Sequence, residues 1–333
     1  MALNYPRLDN ASGVWNMKEV TDAVKGGYWP NALSRGIFGG GYAPSASDVM
    51  DYVTISTTGD AADFGDLTGA RVCGGGTTAS SFTRYFQLGG SDGPATVKSI
   101  DYVAFMTTGN GADFGDLSAN KYQHGCCSNS LRAISVGGNT GSVIDVLEYI
   151  QMASAGDSTD FGNLTAARQQ ASSVSSPTRS VFMGGHNGSA IVNIIEYVTI
   201  ASTANAQDFG DMTSVKYSGG GCSSSTRGVF MGGKTPTLLT DIDYLTIAST
   251  GNAINFGDLT AARIQLAGTS NSVRGITGGG GAPSIVNIIE YFSIPTGGNA
   301  VDFGNLSVTR NQVVGGSNAH GGLNDGNQGV VDT

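Results

Sequence analysis

Charge is scarce in this chain. Only 13% of its 333 residues are Asp, Glu, Lys or Arg, about half the share usual in soluble domains. The 17 basic residues are outnumbered by 26 acids, a net charge of −9. Phosphate binding needs clustered Lys and Arg, so nucleic acid and anionic membranes are excluded as main partners. No apolar run is long enough for a membrane-spanning helix, so no membrane insertion is expected. The opening Met1-Ala2-Leu3-Asn4-Tyr5-Pro6-Arg7 lacks the apolar core of a secretory signal, and no signal peptide is expected. Prolines number 8 and no strict Gly-X-Y period appears, which excludes collagen. The four cysteines, Cys73, Cys126, Cys127 and Cys222, are too few to staple a chain of this length, so free, half-buried thiols are expected.

Glycine is abundant instead, at 52 residues, against a usual share of about 7%. Its placement is regular because the chain is a repeat. Asp-Phe-Gly occurs around Phe64, Phe114, Phe161, Phe209 and Phe303, with Asn-Phe-Gly at Phe256, and these phenylalanines are 47 to 50 residues apart. An acid–tyrosine pair precedes each: Asp51-Tyr52, Asp101-Tyr102, Glu148-Tyr149, Glu196-Tyr197, Asp243-Tyr244 and Glu290-Tyr291. A basic residue follows each: Arg71, Lys121, Arg168, Lys216, Arg263 and Arg310. A second arginine stands before each diglycine: Arg35, Arg84, Arg132, Arg179, Arg227 and Arg274.

Each unit reads as four short strands. Ile242 to Ile247 alternates with period two, Arg227 to Met231 is closed by a diglycine, Asn255 to Leu259 is bounded by turn formers, and Lys216 to Cys222 is a weaker, glycine-rich strand. Four strands in a period in the forties describe a propeller blade. On Gly232-Gly233, Tyr244 and Phe256, with their equivalents in all six units, the chain resembles the kelch-type propellers, with phenylalanine in place of the usual tryptophan. The expected fold is all-β: a six-bladed kelch-like β-propeller over residues 32–333. Its ring is closed by pairing of the two chain ends, a final strand from Arg310 to Val314 lying beside Ile37.

Twelve of the 17 basic residues and fifteen of the 26 acids fall at repeated positions, so most charge is committed to the blades. The spacing of 16 or 17 residues from the second arginine to the acid predicts structural pairs across a hairpin: Arg179 with Glu196, Arg227 with Asp243, and Arg274 with Glu290. Asp-Phe-Gly in six copies, without a kinase's glycine-rich loop and catalytic loop, reads as packing and turn formation rather than phosphoryl transfer. His124, Cys126 and Cys127 form the only cluster of soft ligands, and adjacent cysteines point to opposite faces of a strand. The Asp-x-x-Asp spacing of Asp63 and Asp66 supplies too few oxygens for calcium. The expectation is therefore no catalytic residue, no metal and no cofactor.

Residues 1–31 stand outside the repeat and hold both tryptophans, Trp15 and Trp29. Asn16 followed by Glu19 reads as a capping box, and Trp15 with Val20 as a hydrophobic staple. Met17, Val20 and Val24 form an apolar stripe up to Gly26, followed by Tyr28-Trp29-Pro30. A short helix from Met17 to Lys25 is expected, too short to stand alone, in an arm that docks on the propeller or on a neighbour. Trp15, Met17, Val20, Val24, Tyr28 and Trp29 are the docking residues it offers.

The stretch from Ser12-Gly13-Val14-Trp15 to Gly26-Gly27-Tyr28-Trp29-Pro30 resembles the start of structural proteins of tailed, particularly marine, bacteriophages, and Tyr197 to Thr203 and Ile247 to Ala253 resemble repeats in such proteins. The resemblance implies a non-enzymatic virion structural protein, a tail fibre or other appendage. It would be made in the host cytoplasm, be present in many copies or as a homo-oligomer, and dock on other virion proteins through the arm. Polar, weakly charged propeller loops, among them Gly185 to Ser189 and Gly279 to Ser284, suit recognition of a host-surface glycan. A capsid decoration or connector subunit without a ligand is the alternative, and a polysaccharide-degrading enzyme a third.

Overall fold

Residues 34–73 and 78–323 are described in the computed structural model of the chain, and they contain strands and turns with no helix. The repeats become six four-stranded antiparallel sheets. Blade 5 shows the pattern, from the axis outwards: Gly220–Ser223, Arg227–Met231, Asp241–Thr246 and Ile254–Asp258. Blades 2, 3, 4 and 6 begin with Ala79–Ser80, Gly125–Ser128, Ser172–Ser175 and Ala267–Ser270. Blade 6 carries a small extra hairpin, Gly281–Ala282 with Ser284–Ile285.

Ring closure follows the sequence register. The innermost strand of blade 1 is the last of the chain, Val314–Ser317, which pairs antiparallel with Arg35–Gly39 so that Ile37 faces Gly316. The expected final strand, Arg310 to Val314, therefore begins too early. Gln312 has φ of 54°, and this left-handed residue turns the chain before the ladder starts. Ser218, with φ of 55°, likewise delays the inner strand of blade 5 from Lys216 to Gly220.

The Asp-Phe-Gly motif is a β-bulge. Ile242 faces Gly257 and Asp243 faces Asn255, which leaves Phe256 as the extra residue, and the same shift occurs in all six blades. The bulge aims the phenylalanine into the core between blades, where Phe256 packs with Met231 of its own blade and Leu266 and Phe292 of the next. The glycine has a different task. A Cβ at Gly65, whose φ is +135°, would lie 2.5 Å from the Gly109 carbonyl oxygen of blade 2, so only hydrogen fits. That contact lets Gly109 N donate to Phe64 O at 2.7 Å and Asp66 N donate to Asn110 Oδ1 at 3.1 Å. Each outer strand is thus capped by a turn of the neighbouring blade, which blunts its free edge.

The tyrosine of each acid–tyrosine pair lies between two partners. Tyr244 has the Arg227 guanidinium 4.9 Å from its ring centroid and Phe256 edge-on at 5.7 Å. Arg227 Nη1 also donates to Ile294 O and Pro295 O of blade 6, each at 2.8 Å. This corrects the expected pairs Arg179–Glu196, Arg227–Asp243 and Arg274–Glu290. Arg227 is opposite Thr246 while Asp243 is opposite Phe230, an odd offset that puts the two side chains on opposite faces of the blade. Arg179 and Arg274 likewise stack on Tyr197 and Tyr291.

The acids pair instead with the first basic residue, on the connector entering their blade. Asp243 meets Lys216 at 2.6 Å, Asp101 meets Arg71 at 3.0 Å and Asp51 meets Arg310 at 2.7 Å, while Glu148 bonds Lys121, Glu196 bonds Arg168 and Glu290 bonds Arg263. All twelve side chains are buried. Burial and hydrogen bonding make each pair part of the inter-blade joint: Thr213 Oγ1 on that same connector donates to Asp243 at 2.7 Å.

Candidate functional site

The axis is built from small residues. Inner strands reading Gly-Cys-Cys-Ser, Ser-Ser-Val-Ser, Gly-Gly-Cys-Ser, Ala-Gly-Thr-Ser and Val-Gly-Gly-Ser let the blades close tightly. A Cβ on Gly315 would lie 2.5 Å from the Gly268 carbonyl. The channel encloses about 30 Å³, room for roughly two waters. No organic substrate fits there.

Six serines close one end. Ser80, Ser128, Ser175, Ser223, Ser270 and Ser317 terminate the six inner strands, 47 or 48 residues apart. Each hydroxyl donates to the carbonyl of the preceding one: Ser128 to Ser80, Ser175 to Ser128, Ser223 to Ser175, Ser270 to Ser223, Ser317 to Ser270, and Ser80 back to Ser317. The ring is complete. The chain then folds over it: His320 Nε2 donates to Ser80 O at 2.9 Å, its Nδ1 accepts from Gly322 N at 3.0 Å, and Gly321 N donates to Ser223 O at 2.9 Å. Leu323 is fully buried.

A second ring surrounds the opposite mouth and is made of backbone. Gln123 N donates to Cys73 O, Gln170 N to Gln123 O, Ser218 N to Gln170 O, Gln265 N to Ser218 O, Gln312 N to Gln265 O, and Cys73 N to Gln312 O, at 2.7 to 3.4 Å. Five of these residues, Gln123, Gln170, Ser218, Gln265 and Gln312, have φ between 54° and 60°. Their preceding neighbours include Tyr122, Gln169, Tyr217 and Asn311, bridged respectively to Asn139 at the end of a second strand and to His186, Lys234 and Tyr42 in loops between second and third strands. The His186 and Tyr217 rings lie 6.2 Å apart, edge to face. The loops Gly185 to Ser189 and Gly279 to Ser284 stand on this same face. Asn187, Gly188 and Ser189 in the first, and Pro283 and Ser284 in the second, are exposed. The result is an amide- and tyrosine-rich surface with little charge.

Other sequence expectations resolve as packing. Cys126 joins the core between blades 2 and 3 and Cys127 that between blades 3 and 4, on opposite faces as their adjacency requires. All four cysteines are buried rather than half-buried, and burial pushes Cys73 up to about 11 and Cys127 up to about 12, so neither is a reactive thiolate. Burial, helped by Lys121, pushes His124 down to about 3. Among the described residues no group of three His, Cys, Asp or Glu side chains is arranged to hold a metal ion. Trp15, Met17, Val20, Val24, Tyr28 and Trp29 lie outside the described residues. The two rings were missed in sequence because serine and glutamine are unremarkable as types; their constant place in the repeat was the available signal.

Fold and site together define the class, a closed six-bladed β-propeller. No protein-family model matches the chain, and no curated protein matches it.

Proposed function

We propose that this propeller, of kelch-like type, is a non-enzymatic structural and recognition subunit of a bacteriophage virion, displayed on an appendage and directed at a host-surface glycan. The observation that carries the recognition part is the sparsely charged face around one channel mouth, which bears amides and tyrosines with Lys234 among its bridged residues. Buried pairs take up the repeated charge, and small side chains fill the axis, which leaves the faces as the binding surface. Sugars suit such a face: amides bond paired hydroxyls and tyrosine rings pack on the apolar side of a pyranose. The sequence resemblance supports the virion setting, with residues 1–31 docking on other virion proteins and many copies multiplying a weak single-site affinity.

Immunogold labelling of intact particles with antibodies to residues 34–323 tests location, and competition by the isolated protein tests attachment. The expected result is labelling of an appendage and fewer particles attached. Labelling confined to the capsid, with attachment unaffected, would replace recognition by decoration. Release of saccharide from host polysaccharide would establish an enzyme instead.

A further inference from the structure

Left-handed backbone is common in this protein, and with one exception it is given to glycine. Every positive-φ residue among the described ones is glycine, apart from five: Gln123, Gln170, Ser218, Gln265 and Gln312. All five occupy one repeat position, the backbone ring around the open mouth. A side chain there carries a conformational cost of roughly 1 kcal/mol that glycine avoids. The chain accepts glycine at its diglycine turns, at the bulges, and also in the turns that precede the outer strands, where at Gly59 and Gly251 no Cβ would collide. Glycine would serve the backbone ring equally well. Four glutamines at these positions therefore point to a use for the side chain.

At three of the four that use is not internal. The four glutamines are half-buried. Gln265 Oε1 accepts from Asn311 Nδ2 at 2.9 Å, while the side-chain amides of Gln123, Gln170 and Gln312 have no protein hydrogen-bond partner among the described residues. Each amide offers a donor and an acceptor on one planar group, the pattern that two vicinal hydroxyls satisfy. Tyr122 and Tyr217 neighbour this crown, and the repeat has Lys121 and Lys216 already paired with Glu148 and Asp243. The crown itself carries no charge. Backbone strain of this kind clusters at active sites and ligand clamps, and here three of the four strained glutamines also carry amides without a protein partner among the described residues.

We infer that the glutamine crown formed by Gln123, Gln170, Gln265 and Gln312 is the binding site for a neutral hexose chain, held at the channel mouth by amide–hydroxyl hydrogen bonds. This rests on the reading of the protein as a glycan-recognition subunit and places that recognition on four residues. The outer loops then set which sugar is accepted, and the axis below contributes rigidity.

The test uses the full chain and an immobilised panel of neutral gluco-, galacto- and manno-oligosaccharides of four to eight units. Two variants are compared with the wild type. Q123G/Q170G/Q265G/Q312G removes the amides and relieves the backbone, and the corresponding four-fold Gln→Asn variant tolerates left-handed φ while withdrawing each amide by one methylene. The expected result is binding by the wild type and at least a tenfold loss in both variants, with Tm of the glycine variant equal to or above wild type. Wild-type binding that falls less than tenfold in both variants overturns the crown as the site and leaves glycan recognition standing. Wild-type binding to no member of the panel overturns both.

Discussion

The Ser80 hydroxyl donates to the Ser317 carbonyl at 2.8 Å, joining residues 237 positions apart. It is the last link of a ring in which every serine hydroxyl bonds the blade before it, and it lies beside the strand pair that closes the propeller. Ser80→Ala leaves a buried carbonyl without this donor at the closing joint, and so does Ser223→Ala between blades 4 and 5. Each is expected to cost about 1–2 kcal/mol, or roughly 1–3 °C in Tm for a chain of this length. Thermal unfolding of the single variants and the double variant checks this. The two sites belong to one ring, so the double loss is expected to depart from the sum.

The buried joints give a sharper contrast. Lys216→Met leaves Asp243 buried without its cation, and the expected cost is about 3–5 kcal/mol. Lys216→Met with Asp243→Leu removes both charges and is expected to recover most of that loss. Arg227→Met loses a stacked guanidinium and two carbonyl bonds, and leaves no buried carboxylate unpaired, so it is expected to cost less than Lys216→Met. Urea unfolding midpoints rank the three.

The repeats, the blade count and the closing of the ring were legible in the sequence because spacing alone carries them: the phenylalanines fix the period, and the odd strand left at the end must pair at the start. The partners of the acids were not. Arg227 and Asp243 are brought onto one hairpin, yet an odd register offset sends them to opposite faces, and Lys216 reaches Asp243 only through the connector's path in three dimensions. Gln170 and Ser223 were illegible for another reason. Their roles are cyclic, and the bonds that make each ring run to the equivalent residues one repeat away.

Acid should weaken the fold through His124. Its folded pKa of about 3 lies below the ordinary 6.5, so the unfolded chain takes the proton first. The stability it contributes is complete above about pH 6.5 and is lost as pH falls towards 3, with a slope of about 1.4 kcal/mol per pH unit. Glu148 acts in the same direction lower down. Burial alone would raise it, but Lys121 with Ser158 and Ser118 holds it at about 2, so its contribution is present above the ordinary 4.5 and lost below. Chemical unfolding of His124→Gln at successive pH values is expected to show a shallower slope between pH 6.5 and 4 than wild type.

Gly65→Ala tests the motif shared by all six outer strands. Its Cβ would press on the Gly109 carbonyl at 2.5 Å and require a left-handed φ of an alanine. The expected loss is about 2–4 kcal/mol. Hydrogen exchange is expected to rise at the Gly109 and Asp66 amides, which this contact protects. Ala at Gly59, where a Cβ meets nothing within 4 Å, is expected to cost less.

The central claim is that the faces of a sealed ring recognise a surface glycan. Binding of the isolated protein to host cells before and after periodate oxidation of their surface sugars tests it most directly. The account predicts saturable binding that periodate abolishes and protease treatment of the cells leaves intact. Binding unaffected by periodate, or removed by protease, would contradict it.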